Sequence, residues 1–169
     1  NPLGCSPKVN AFLKETDFNF AIYPDGYAQN MRTAVAEHAG VPERDLLFGN
    51  GSDEIISIIS RSLLGPGTNT VMAKPTFSQY KLNAQIEGAE VREVPLNDKR
   101  EHDLDAMLAQ VDDNTSVVWI CSPNNPTGGV TNRSAIENFL AKVPADVLVV
   151  LDEAYIEYVT DSNYPDTLP

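Results

Sequence analysis

The sequence predicts an α/β fold in which helices flank a mostly parallel central sheet. Strand and helix patterns alternate about every 15 residues after residue 45, as they do in successive βα units. The apolar run 147–151 shows no alternation, which is typical of a strand buried on both faces of a parallel sheet. An acid, Asp152, follows that run at once. The 169 residues, 42 % of them hydrophobic, suffice for a domain with its own core.

The single elements follow from apolar spacing and from turn residues. Segment 1–26 is irregular apart from a short helix that begins near Pro7, so we divide the chain into an N-terminal arm, 1–26, and a domain, 27–169. Ser52 is a fitting N-cap, and the two acids after it favour a helix start there. The elements predicted in the domain are helix 27–39, strand 46–48, a helix capped by Ser52 that ends before Gly65, strand 70–73, helix 77–87, strand 90–94, helix 104–111, strand 115–121, helix 132–142 and strand 147–151.

Composition excludes several classes of function. The net charge of −12 disfavours binding to nucleic acids or to anionic membranes. No apolar run is long enough to cross a bilayer, and no signal peptide is visible. Cys5 and Cys121 are expected to be free thiols of a reducing compartment, so we expect a cytoplasmic protein. No metal site is predicted, and both His38 and His102 are expected at the surface rather than as catalytic bases.

Three loops are the candidates for a ligand site, namely 49–54, 122–129 and 152–155. Each follows an apolar strand, and ligands of open α/β sheets bind where the strands end. The first loop has two glycines before a helix N-terminus, where backbone N–H groups can approach an anion. It therefore predicts a phosphate site, although a tight turn with a serine cap is the alternative.

Two nucleotide-binding classes fit less well. Asp152-Glu153 is similar to the acidic pair of a P-loop protein, but G-x-x-x-x-G-K-[ST] occurs nowhere. Gly49-x-Gly51 opens a helix, as a dinucleotide fingerprint does, but Glu54 stands at the position of the third glycine.

An acid beside a phosphate site suits pyridoxal phosphate. A carboxylate such as Asp152 at the pyridine nitrogen keeps that nitrogen protonated, which makes the ring a stronger electron sink. Asn125 and Tyr155 could donate hydrogen bonds to the phenolic oxygen. Phe77, at the start of a helix after a strand, could lie flat on the ring.

The chain resembles the pyridoxal-phosphate aminotransferases of fold type I, and among them most closely the histidinol-phosphate aminotransferases. The motifs appear in family order across almost the whole chain, and their combination is far more specific than any one of them. The segments that carry the resemblance are Asn1-Pro2-Leu3-Gly4, Tyr23-Pro24-Asp25-Gly26, Gly49-Asn50-Gly51-Ser52-Asp53-Glu54, Pro75-Thr76-Phe77, Ser122-Pro123-Asn124-Asn125-Pro126-Thr127-Gly128 and Asp152-Glu153-Ala154-Tyr155.

The resemblance implies a role for single residues. Ser52 and Asp53 match the residues at the cofactor phosphate, and Tyr23 matches a tyrosine that reaches across a dimer interface to the neighbour's phosphate. The alternative for Tyr23 is an exposed turn residue. For Asp152 the implied role is that of the ring-nitrogen partner.

The same resemblance assigns three residues around the ring. Asn125 and Tyr155 match the pair at the phenolic oxygen. Phe77 matches the aromatic residue stacked on the ring, where relatives often carry tyrosine. The alternative for Phe77 and Tyr155 is that they are ordinary core aromatics.

The chain departs from the family at its end. The lysine that forms the Schiff base lies beyond the Asp-x-x-Tyr segment in the family, and none of the six lysines present matches its motif. We therefore expect a fragment, an incomplete large domain without the small domain, that does not turn over by itself and contains no catalytic residue.

The full-length parent is expected to act in histidine biosynthesis. It would transfer an amino group between L-histidinol phosphate, the amino donor, and 2-oxoglutarate, the 2-oxo acid, as a homodimer. The alternatives are a related aromatic amino-acid aminotransferase, a phospho-amino-acid decarboxylase, or a non-catalytic fragment that binds a phosphorylated ligand.

Overall fold

A computed structural model describes residues 4–160, 162–165 and 167 of the chain. The chain forms two compact units, Asn1–Leu46 and Leu47–Pro169. The division into an arm, 1–26, and a domain, 27–169, stays a prediction, and the predicted turn over residues 1–3 lies outside the described residues. No helix in the described ranges is long and apolar enough to cross a membrane.

The first unit contains two helices and a short 3₁₀ turn. They are α1 (Pro7–Glu15), α2 (Gln29–Ala39) and the turn Glu43–Asp45. Gly40 ends α2 in the left-handed conformation, with φ 70°, which glycine adopts without strain. The Arg32 guanidinium donates to the carbonyls of Glu43 (2.9 Å) and Leu46 (2.6 Å), which ties α2 to the turn and to the segment that follows it.

The second unit is built on a sheet of four parallel strands. Its elements are α3 (Gly51–Leu63), β1 (Asn69–Lys74), α4 (Ser78–Ile86), β2 (Glu90–Pro95), α5 (Leu104–Leu108), β3 (Thr115–Cys121), α6 (Arg133–Leu140) and β4 (Leu148–Asp152). The strand order is β2-β1-β3-β4, and every neighbouring pair is parallel. The predicted α/β class with a parallel sheet is therefore confirmed. Cys121 and Asp152 pair at the carboxyl ends of β3 and β4, so the loops after these strands leave the sheet side by side.

Helices cover both faces of the sheet. Alternate residues of a strand point to opposite faces. On one face Val118 and Ile120 of β3 pack with Met107 of α5 and Phe139 of α6, and this aliphatic-rich core is called the α5/α6 face below. On the other, the α3/α4 face, Trp119 of β3 packs with residues of α3 and α4.

Two strand predictions are wrong in part. Residues 46–48 form no strand in the structure, because they join the ladder of no described strand, although the backbone of Leu46 is extended. Strand β4 is not buried on both faces as the run 147–151 predicted. It lies at the edge of the described sheet with one neighbour, β3, and the Leu148 side chain is 40 % exposed.

Two helix predictions also need correction. Ser52 is not the N-cap of α3, because the helix begins at Gly51, two residues earlier than such a cap implies, and Asn50 takes the N-cap position. Helix α5 ends at Leu108 rather than at Val111, because the chain must turn at 112–115 to enter β3.

His102 lies in the core, not at the surface as its charged neighbours in sequence predicted. Its side chain is 5 % exposed, and its Nε2 accepts the backbone N–H of Cys121 at 3.3 Å. Burial lowers the pKa of His102 to about 4, so the ring is neutral at physiological pH. The other ring nitrogen, Nδ1, has no hydrogen-bond partner among the described residues.

Candidate cofactor-binding site

The three candidate loops meet at the carboxyl edge of the sheet. A cavity of about 270 Å³ opens there, between the N-terminus of α3 and the ends of β3 and β4. The structure brings six of the seven predicted cofactor-binding residues to its walls, which are Ser52, Asp53, Phe77, Asn125, Asp152 and Tyr155.

The N-terminus of α3 offers backbone donors to this cavity. The first N–H groups of a helix have no acceptor within the helix, and the helix dipole makes that end partly positive. Asn50 provides no side-chain cap, while the Glu54 carboxylate turns back and accepts the Asn50 N–H. Gly51 adopts φ +69°, the left-handed conformation that favours glycine. The turn thus leaves the N–H groups of Ser52 and Asp53 for an anion; the Asp53 carboxylate, itself negative, cannot serve one.

Asp152 is held by two hydrogen bonds at the end of β4. Its Oδ2 accepts the Tyr80 hydroxyl at 2.6 Å, and its Oδ1 accepts the Ala154 N–H at 3.1 Å. A carboxylate has about four acceptor positions, so about half of them stay available to a ligand. None of the ion pairs in the described part of the chain involves Asp152. The site therefore holds a fixed carboxylate that lacks a cationic partner.

The loop after β3 is tied to the loop after β1 through Asn124. The Asn124 side chain accepts the Thr76 hydroxyl at 2.8 Å and donates to the carbonyl of Pro75 at 3.1 Å. These bonds fix Phe77, the next residue, at the start of α4 and present Asn125 to the cavity. The Asn125 amide makes no side-chain hydrogen bond to any described residue, so it is free to donate to a ligand.

Tyr155 forms the wall between two spaces. Its side chain is 43 % exposed, and its hydroxyl has no partner in the part of the chain that the structure describes. Together with Asn125 it lines both the first cavity and a second one of about 420 Å³, which also contacts Tyr158 and Val159. A ligand in the first cavity would therefore lie next to room for a second molecule.

These groups fit pyridoxal phosphate. Backbone donors at a helix start suit its phosphate, a carboxylate without a cationic partner suits its protonated ring nitrogen, and free amide and hydroxyl donors suit its phenolic oxygen. Tyr23 belongs to the other compact unit, where its side chain is 95 % exposed, and its role stays a prediction.

Sequence reasoning missed Tyr80 as a residue of this site. Its ring is fully buried, stacks on Trp119 at 4.7 Å and contacts Phe77 edge-on at 5.7 Å. The signal that could have found it is its place in the first turn of α4, three residues after Phe77. Cys121, assigned only as a free thiol, also lines the cavity, and burial raises its pKa.

The chain belongs to the class I and II aminotransferases. The model of the family Aminotransferase class I and II matches residues 6–168, nearly the whole chain. Curated relatives of one name match the whole of this chain. The chain is 64 % identical to a histidinol-phosphate aminotransferase of Lysinibacillus sphaericus and 61 % identical to one of Halalkalibacterium halodurans. In both cases all of this chain and 46 % of the relative is covered, so the chain spans about half the length of the curated relatives it matches.

Solved structures agree with this assignment of the fold. The histidinol-phosphate aminotransferase of Sinorhizobium meliloti in complex with pyridoxal-5'-phosphate superimposes with a TM-score of 0.89 at 25 % identity, over 96 % of this chain and 44 % of that one. The corresponding enzyme of Clostridium acetobutylicum gives a TM-score of 0.82 at 25 % identity, over 98 % and 48 %. The predicted large-domain fold of the fold type I enzymes is therefore confirmed.

Proposed function

We propose that the cavity at the carboxyl edge binds pyridoxal 5'-phosphate and that the whole protein is a histidinol-phosphate aminotransferase. The observation that carries the proposal is the pairing of the Asp152 carboxylate with the uncapped start of α3 in one cavity. A carboxylate and an anion site that line the same cavity suit a ligand that carries both a cationic and an anionic group. The cofactor, when bound, supplies an electron sink for the carbanion formed at the substrate.

Each residue has a task that its geometry supports. The N–H groups of Ser52 and Asp53 would bind the phosphate, and Phe77 would cover one face of the ring. Asn125 and Tyr155 would donate to the phenolic oxygen. Asp152 would hold the proton on the ring nitrogen, because a fixed carboxylate next to a cation favours the charged form of both.

The activity of the whole protein is part of the same proposal. It would exchange the amino group between L-histidinol phosphate and 2-oxoglutarate in the cytoplasm, with a lysine outside this chain as the covalent anchor of the cofactor. Support comes from the two relatives of that name that match over all of this chain. A homodimer in which Tyr23 reaches the partner's phosphate would use the high exposure of that residue.

Calorimetric titration with pyridoxal phosphate tests the site directly. We expect binding by the chain, and binding weakened roughly 10- to 100-fold by Asp152→Asn, the range of a hydrogen bond to a charged group. Asp146→Asn is the matched control, because Asp146 is exposed at the opposite end of β4. No binding by the unaltered chain, or equal losses in both variants, would contradict the proposal.

Assays of the complete gene product decide the substrate. We expect amino transfer from L-histidinol phosphate to be faster than from aromatic amino acids. Preferred transfer from tyrosine would favour an aromatic aminotransferase instead. Release of CO₂ from a phospho-amino acid would favour a decarboxylase, a possibility supported by the L-threonine-O-3-phosphate decarboxylase of Porphyromonas gingivalis, which superimposes with a TM-score of 0.69 at 27 % identity.

A further inference from the structure

We propose that Tyr80 is a positioning residue that holds the Asp152 carboxylate toward the ring nitrogen of the cofactor while leaving its negative charge intact. The inference rests on the proposed function and adds a residue to its site. It starts from the 2.6 Å hydrogen bond between the Tyr80 hydroxyl and Asp152 Oδ2.

Asp152 gains its orientation from two neutral donors. The Tyr80 hydroxyl binds one carboxylate oxygen and the Ala154 N–H binds the other. With both oxygens engaged on the protein side, the carboxylate cannot rotate without breaking a bond. A lysine or arginine in place of Tyr80 would fix the carboxylate equally well but would neutralise it, and a cationic ring nitrogen would then be bound more weakly.

Tyr80 is itself held rigidly. Its ring stacks on Trp119 with an interplanar angle of 11°, and the Trp119 indole N–H donates to the Thr70 hydroxyl at 2.9 Å. The Thr70 hydroxyl in turn donates to the Val117 carbonyl at 2.8 Å, so these contacts, which begin at Tyr80, end on the backbone of strand β3. Two strands of the sheet thus determine where the Tyr80 hydroxyl lies.

The environment keeps this hydroxyl a neutral donor. Burial raises the pKa of Tyr80, and the nearby Cys121 and Asp152 raise it further. The phenol therefore retains its proton over the whole working range of pH. A neighbour that never ionises cannot add a second negative charge beside Asp152.

A double-mutant cycle in the complete gene product tests the inference. Its members are the unaltered protein, Tyr80→Phe, Asp152→Asn and the double variant, each titrated with pyridoxal phosphate and each unfolded with urea in the absence of cofactor. Tyr80→Phe keeps the stack on Trp119 and removes only the hydroxyl. Tyr27→Phe, which removes an exposed hydroxyl in the other compact unit, serves as control.

We expect Tyr80→Phe to weaken cofactor binding roughly tenfold when residue 152 is aspartate, the low end for a hydrogen bond to a charged group. In the Asp152→Asn background the same change should weaken binding about twofold or less, because the interaction is already broken. A merely structural role of Tyr80 would give equal losses in both backgrounds. The ¹⁵N shift of labelled cofactor should in addition move toward the unprotonated ring in Tyr80→Phe.

The outcomes separate this inference from the proposed function. Binding by the unaltered protein with no coupling between positions 80 and 152 would overturn the role of Tyr80 and leave the proposed function standing. Absence of binding by the unaltered protein would overturn both. Absence of coupling in the unfolding data would show that the hydrogen bond itself does not exist in solution.

Discussion

The two faces of the sheet are built from one strand but have different chemistry. On the α5/α6 face, Ile120 enters a core of aliphatic side chains with Met107 and Phe139. On the α3/α4 face, its neighbours in sequence, Trp119 and Cys121, enter a core in which Trp119 stacks on Tyr80, whose hydroxyl binds Asp152. The comparison indicates that one face mainly supplies stability and that the other also positions the site.

Large-to-small substitutions on β3 should give the largest effects and separate the two faces. We expect Trp119→Ala to lower the free energy of unfolding by about 3–5 kcal/mol and Ile120→Ala by about 2–5 kcal/mol, because both leave cavities in a closed core. Cofactor affinity should fall only in Trp119→Ala, which removes the support of Tyr80. Urea unfolding and calorimetric titration measure the two quantities, and equal losses of affinity would contradict the distinction.

The buried His102 should make the stability of the α5/α6 face depend on pH. Its folded-state pKa of about 4 lies below the ordinary 6.5, so the unfolded chain takes up the proton first as the pH falls. The contribution of the neutral His102 to the free energy of unfolding is fully present above pH 6.5. It falls by roughly 3 kcal/mol between pH 6.5 and pH 4, and this group causes no further loss below pH 4.

The contribution of His102 can be isolated by substitution. His102→Gln keeps an acceptor for the Cys121 N–H but does not titrate. Urea unfolding at several pH values should show two curves that converge as the pH falls from 6.5 to 4. Curves that stay parallel would show that the imidazole is not neutral in the folded state.

Two buried threonines, one with hydrogen-bond partners for its hydroxyl and one without, allow a matched test of how much the polar contacts beneath Tyr80 contribute to stability. The Thr70 hydroxyl accepts the Trp119 N–H and donates to the Val117 carbonyl. Thr70→Val should therefore destabilise by about 1–3 kcal/mol, because it leaves a buried donor unpaired. The Thr131 hydroxyl has no partner among the described residues, so Thr131→Val should change stability by less than about 0.5 kcal/mol or increase it. Thermal or urea unfolding measures both effects. If the hydrogen bonds from Trp119 through Thr70 to Val117 were unimportant, the order of the two effects would be reversed.

The N-caps of α3 and α6 give the smallest predicted difference in the free energy of unfolding. Asn132 caps α6 by accepting the Ala135 N–H at 3.0 Å, whereas Asn50 makes no side-chain cap on α3. Asn132→Ala should lower the free energy of unfolding by about 1 kcal/mol, and Asn50→Ala should lower it clearly less. Added phosphate-bearing cofactor should stabilise the protein through the open end of α3. Equal costs in urea unfolding would mean that the start of α3 is capped after all.

Much of the fold could be predicted from the sequence, because it depends on local signals. Apolar spacing and turn residues gave all four strands of the sheet, and the strand 115–121 has the predicted bounds. Apart from the local boundaries of α3 and α5, the predictions that failed depend on neighbours distant in sequence. Exposure of β4 is set by its place at the sheet edge, and burial of His102 is set by the loop that turns it beneath Cys121.

The candidate site shows the same limit. Asp152 ends β4 and Asn125 lies in the loop after β3, so the rule that ligands bind at the carboxyl edge was enough to group them. Spacing from Phe77 could have suggested Tyr80, but the hydrogen-bonding roles of Tyr80 and Asn124 could not be assigned from the sequence. Their importance lies in hydrogen bonds to residues 72 and 48 positions away, which only the folded chain reveals.

A crystal structure of the complete gene product grown with pyridoxal phosphate tests the central claim most directly. We predict the ring nitrogen within hydrogen-bond distance of the Asp152 carboxylate and the phosphate at the N–H groups that begin α3. A cofactor bound elsewhere, or a ring turned so that its nitrogen points away from Asp152, would contradict the account.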